Sequence, residues 1–149
     1  MKKKIVLGEF SRPAKNPMEH EFSTIRNNNT AYDFNIRITV PEFTALCPVT
    51  QQPDFATIII DYVPKKVLLE SKSFKLYIQS FRNFGIFHEE ATLLIAKNLK
   101  KSLNPKWLRI SGYFAPRGGI PIDVFWQSNT VPKKVFIPDI PFKLLNIYR

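Results

Sequence analysis

The chain has 149 residues, the size of one domain, with 22 basic against 12 acidic residues and a formal net charge of +10. Its 13 phenylalanines argue against disorder, and a single cysteine, Cys47, excludes an internal disulfide and any multi-cysteine zinc site. The positive surplus draws nucleic acid, acidic surfaces or phosphorylated small molecules without choosing among them.

Residues 1–30 read as an irregular arm, broken by Pro13, Pro17 and the run Asn27-Asn28-Asn29. The opening MKKKIVLGEF has too short an apolar run for a signal-peptide core, and no later run approaches the length of a membrane span. With one unpaired cysteine, a reducing cytoplasmic setting is expected. Residues 31–127 then form the core. YDFNIRITV, residues 32–40, alternates Phe34, Ile36, Ile38 and Val40 against polar neighbours, which predicts a half-buried strand that Pro41 ends or edges. Residues 41–55 read as a proline-stiffened loop carrying Cys47 and Asp54, and residues 56–64 as a second strand.

The stretch from Glu70 to Glu90, ESKSFKLYIQSFRNFGIFHEE, is the centre of the chain. Phe74, Tyr77, Ile78 and Phe81 recur at helical spacing, predicting a helix from about 71 to 83 that stops near Gly85. A second helix is predicted from about 88 to 102, with Ala91, Leu94, Ile95 and Leu99 on one side and Asn104-Pro105 at its end. Strands are predicted at about 107–115 and 120–127, with Arg117-Gly118-Gly119 turning between them. Residues 128–149 form a proline-containing tail, expected to pack on the sheet or on a partner. The order ββααββ predicts an α+β fold: a four-stranded antiparallel sheet with both helices on one face. The second face is left for another copy of the chain to cover, so an oligomer is expected.

Each chemistry-bearing residue has an ordinary alternative. A lone cysteine is most often a small buried apolar residue, yet Cys47 sits in a stiff loop seven residues before Asp54. Asp54 is either a solvated loop carboxylate or a desolvated proton donor between Pro53 and Phe55. His88 and Glu89 suit a helix start, Glu70 an ordinary surface acid, and Lys72 and Lys75 a solvated face. There is no Gly-x-Gly-x-x-Gly after a strand and no P-loop, and two histidines with one cysteine give no reason to expect a metal.

Taken together, LCPVTQQPDFA, ESKSFKLY, SFRNFGIFHE and PRGG resemble the motifs of the NADPH-dependent 7-cyano-7-deazaguanine reductases of queuosine biosynthesis, the QueF enzymes, in their short single-domain form. The match runs from about Glu42 to Gln127. The resemblance implies the tunnelling fold, whose copies join their ββααββ sheets into a barrel with sites between subunits. It implies Cys47 as nucleophile and Asp54 as general acid. It implies Leu69, Glu70, Ser71, His88 and Glu89 as substrate contacts, and Lys72, Lys75 and Arg117 as contacts to the NADPH phosphates. The family has glycine where this chain has Gln51. Two other classes compete: a basic nucleic-acid-binding module, drawn from charge and the Arg-Gly-Gly, and a thiol-dependent nitrile hydrolase that leaves NADPH idle.

Overall fold

A computed structural model describes residues 16–140. Residues 1–15 of the expected arm and 141–149 of the expected tail lie outside them. Six strands and two α-helices follow in the order β1 (Thr24–Arg26), β2 (Ile36–Leu46), β3 (Pro53–Val63), β4 (Val67–Leu69), α1 (Ser71–Ser80), α2 (His88–Leu103), β5 (Trp107–Phe114) and β6 (Asp123–Gln127). The main sheet is antiparallel throughout, in the order β2-β3-β5-β6, so β2 and β6 are its edges. Both helices contribute to a single core with Ile58, Ile60 and Tyr62 of β3 and Leu108 and Ile110 of β5. Each of these fully buried side chains contributes roughly 1.5–3 kcal/mol of transfer free energy.

Pro41 does not end the first long strand. β2 runs on to Leu46, and its register against β3 shifts between Val40 and Phe43. An edge strand tolerates proline because the missing N–H has no ladder partner to lose. The bulge it helps to make changes which residues face inward. Before it the even-numbered Ile36, Ile38 and Val40 pack on the core; after it Phe43 and Ala45 do. Continuing that parity carries Cys47 to the helix side of the sheet. Asp54, paired with Ala45 and second in β3, lies on the same side. The loop expected over 41–55 is therefore mostly strand, reduced to a tight turn over residues 47–52.

Other elements depart less. β1 lies within the expected irregular arm and pairs antiparallel with β4, a small second sheet that a three-residue match does not announce in sequence. β6 begins at Asp123, after a hairpin turn closed by reciprocal bonds between Arg117 and Ile120. Gly118 and Gly119 both have positive φ, as primed hairpin turns require. α1 ends at Ser80, three residues before the end predicted at about 83.

The sheet face away from the helices is not bare. Thr57, Ile59, Asp61 and Ser111 are buried there. Arg37 and Arg109 close over Asp61, each donating to its carboxylate at 2.8 Å, and together with Asn35 they overcome its desolvation and lower its pKa. The Arg37 guanidinium also donates to the carbonyls of Pro138 and Asp139. The described part of the tail thus reaches this face and supplies part of the cover that the sequence assigns to a second copy.

Candidate active site

The turn after β2 is closed at both ends. Cys47 N–H donates to the Gln52 carbonyl at 2.8 Å, and Gln51 N–H donates to the Cys47 carbonyl at 2.9 Å. Closing so short a turn requires φ of +59° at Gln51, a left-handed conformation that costs a non-glycine residue about 1–2 kcal/mol. The expected glycine position is therefore left-handed here despite its side chain. Behind the turn lies the link between the helices. Leu46 N–H donates to the Phe84 carbonyl at 3.0 Å and Ile86 N–H to the Leu46 carbonyl at 2.9 Å. Gly85 sits so close that an added Cβ would lie 3.3 Å from Pro48 Cα. The Asn-Phe-Gly break thus does more than separate two helices: its backbone pins the residue before Cys47.

The Cys47 side chain is buried, 5% exposed. Its thiol is held down from an ordinary 9.0 to about 6 by the Thr50 hydroxyl first, then by the N–H groups of Thr50 and Val49, then by the Arg117 guanidinium; burial opposes them. Thr50 is the residue that motif reading passed over. A threonine three residues after the cysteine, in a proline-started turn, is the signal that marks it.

Arg117, from the hairpin, also grips Asp54: Nε and Nη2 both reach Oδ1. Its own pKa is raised by Asp54 first and Cys47 second. The other carboxylate oxygen, Oδ2, lies 3.2 Å from Nε2 of His88, the first residue of α2, in a geometry too oblique for a hydrogen bond. Both atoms are buried and have no hydrogen-bond partner among the described residues. The His88 ring stacks on Phe114 at 4.0 Å and 9°, which fixes its plane. Glu89 follows in the exposed first turn of α2. Cys47, Asp54, His88 and Arg117 therefore converge, with Glu89 beside them. The arrangement offers a ready thiolate, an inward carboxyl oxygen and a cation between the two.

The remaining expected site residues lie elsewhere. Leu69 ends β4 and Glu70 caps α1, its two carboxylate oxygens accepting from the N–H groups of Lys72 and Ser73 at 2.8 and 2.7 Å. The ten residues of α1 separate this cap from the Phe84 end beside Cys47 by about 15 Å. Leu69, Ser71 and Lys75, with Arg82, line a cleft of about 620 Å³ between α1 and β2. One copy of the chain carries two clusters and does not bring them together. Among the described residues, no group of three or more His, Cys, Asp or Glu could hold a metal, and no helix is long and apolar enough to cross a membrane.

The QueF-like protein family matches this chain over residues 53–133. A protein of Ruegeria sp. (strain TM1040), named NADPH-dependent 7-cyano-7-deazaguanine reductase, is 56% identical over 133 residues, 89% of this chain and 86% of its own length. A protein of the same name from Bradyrhizobium diazoefficiens is 54% identical over 138 residues, 93% of this chain and 90% of its own. Among solved structures, the archaeosine synthase QueF-Like in its apo form superposes with a TM-score of 0.60 at 23% identity, covering 66% of this chain and 96% of that one, a likeness of fold alone.

Proposed function

The chain belongs to the QueF-like protein family, and on that premise we propose that it reduces 7-cyano-7-deazaguanine to the aminomethyl compound, with NADPH as reductant, in the cytoplasmic synthesis of queuosine. The supporting observation is the convergence of a depressed thiol, Cys47, with the buried carboxylate of Asp54 through one guanidinium.

A nitrile carbon accepts hydride poorly. Cys47 gives up its thiol proton to Asp54 and its sulfur donates a lone pair to that carbon, a C–S bond forms, and the displaced π pair moves to nitrogen, which takes the same proton back from Asp54. The product is a covalent thioimide, a better electrophile. NADPH supplies hydride, twice in all, because nitrile to primary amine is a four-electron change. Between the two, the C–S bond breaks and the pair returns to sulfur as thiolate. Asp54 Oδ2 is the oxygen free to work, since Arg117 occupies Oδ1, and His88 borders its proton path. Closure against water protects the imine from hydrolysis.

His88 and Glu89 at one end, with Leu69, Glu70 and Ser71 at the other, recognise the deazaguanine. Its amino and ring N–H groups are donors, and capping leaves each Glu70 oxygen a second lone pair to accept them. Lys75, which lines the apolar cleft of α1, and Lys72 on the same helix suit the phosphates of NADPH, with Arg117 as a further cation. The two clusters complete a site only between copies. The free edges of β2 and β6 allow sheets to join edge to edge, as the tunnelling-fold barrel requires.

The test follows NADPH oxidation with 7-cyano-7-deazaguanine, and the mass of the enzyme with substrate alone. Two NADPH per nitrile and an adduct absent from Cys47→Ala are expected. An acid or amide product without NADPH consumption would make the chain a hydrolase. Steeply salt-sensitive RNA binding without turnover would make it a nucleic-acid module.

A further inference from the structure

We propose that His20 and Ser73 position Glu70 for the deazaguanine ring: the segment from His20 to Asn27 is a strap, and Ser73 is the joint through which it holds the carboxylate. The inference deepens the reading above and rests on Glu70 being a ring contact in it. β4 and the cap of α1 present Leu69, Glu70 and Ser71, yet β4 is three residues long. A strand that short has no stability of its own. Among the described residues it pairs with β1 alone, Thr24 against Leu69 and Arg26 against Val67. The substrate segment is therefore held from outside the main sheet, by a stretch from far earlier in the chain.

Both ends of the strap are tied. Downstream, buried Asn27 donates from its backbone N–H to the Lys66 carbonyl at 2.9 Å and from its side chain to the Lys65 carbonyl at 3.2 Å. Upstream, the Phe22 ring packs edge-on against Tyr77 of α1 at 4.7 Å, and the His20 ring lies 5.2 Å from the same tyrosine. Between these ties the strap meets the cap. Glu70 N–H donates to the Ser23 carbonyl at 3.1 Å. Ser23 N–H donates in return to Ser73 Oγ at 2.9 Å, and His20 Nε2 stands 3.3 Å from that oxygen, an acceptor for its proton. Ser73 N–H then donates to Glu70 Oε2 at 2.7 Å. The bonds form a circuit from the strap through Ser73 to the Glu70 carboxylate, and from the Glu70 amide back to the strap. Ser73 is fully buried, and a buried hydroxyl without partners is costly. Its partners among the described residues, Ser23 and His20, both lie on the strap. A carboxylate that must cap a helix and also meet a ring tolerates little rotation, and this circuit limits it.

Steady-state turnover with 7-cyano-7-deazaguanine and NADPH separates positioning from mere stabilisation. A strap that only stabilises changes the active fraction, so the apparent kcat falls while KM stays. A strap that positions a ring contact raises KM for the nitrile and leaves kcat and KM for NADPH in place. The unaltered chain is compared with His20→Phe, His20→Gln and Ser73→Ala, with circular dichroism to certify folding. His20→Phe keeps the ring packing and removes the nitrogen, so KM for the nitrile should rise roughly two- to tenfold, the worth of one hydrogen bond. His20→Gln, whose amide reaches Ser73, should stay near the unaltered value. Ser73→Ala should raise KM at least as much as His20→Phe, and combining the two should add little, because both act through one hydroxyl. An unmoved nitrile KM in folded His20→Phe and Ser73→Ala overturns the proposal, as does a fall in kcat alone. Should Ser73→Ala not fold, the two His20 variants carry the same comparison. If the unaltered chain does not reduce the nitrile, the reductase reading falls and the positioning role with it. If it does and the variants match it, the positioning role alone falls.

Discussion

At residue scale the site depends on one depressed thiol, and that has a consequence for stability. Cys47 titrates at about 6 in the fold against an ordinary 9.0. The folded state thus binds fewer thiol protons than the unfolded state between those values, so stability rises with pH there. The contribution is complete above the ordinary value and is lost as pH falls through about 6. Urea melts of the unaltered chain and Cys47→Ser should diverge with rising pH across that window and run parallel below it. Parallel curves throughout would mean the thiol is not held as an anion. Gln51 makes a separate prediction. Its φ of +59° is strained, and Gln51→Gly should raise stability by up to about 1 kcal/mol, relief of strain offset by the entropy of glycine in the unfolded chain. Cys47 and Asp54 were legible in the sequence because motif spacing carries them. Thr50 was not, because a side chain that acts on a neighbour's sulfur leaves no periodic signal.

At the scale of elements, periodicity found both helices and all four long strands, since burial on one face repeats at a fixed interval. It misplaced what depends on pairing. Pro41 reads as a stop, yet in an edge strand it becomes part of a bulge, and that bulge turns Cys47 towards the helices. β1 and β4 pair over three residues and carry no pattern of their own. Glu70 reads as a surface acid or a ring contact, while its carboxylate caps α1. Glu70→Ala should therefore cost about 1 kcal/mol in a urea melt whether or not substrate binds there. Glu70→Gln, which can still accept from the helix N–H groups, should recover much of that while weakening deazaguanine binding in calorimetry. If the two variants are equally stable, the cap contributes nothing; if they bind equally to the unaltered chain, Glu70 is no ring contact.

At the scale of the whole molecule, the expected residues fall into two groups that one copy keeps apart by the length of α1. Cys47, Asp54, His88 and Arg117 lie at one end. Leu69, Glu70, Ser71 and Lys75 lie at the other, beside a mostly apolar cleft. Sequence shows both groups, but no pattern in a single chain states that they meet only across copies. If they do, the damage from two different variants is separable. A copy with Cys47→Ala keeps an intact Glu70 end, and a copy with Glu70→Ala keeps an intact Cys47 end. Each alone should be inactive or nearly so. Co-expressed in equal amounts and assembled at random, about a quarter of the sites draw both ends from undamaged surfaces, because each end is intact with a chance of one half. Nitrile-dependent NADPH oxidation should then return to roughly a quarter of the unaltered rate per site. If one copy holds a complete site, every site carries one lesion or the other and the mixture stays as inactive as its parts. Mass spectrometry of the purified mixture establishes that both copies share one assembly, so a silent mixture counts against the shared site rather than against the mixing.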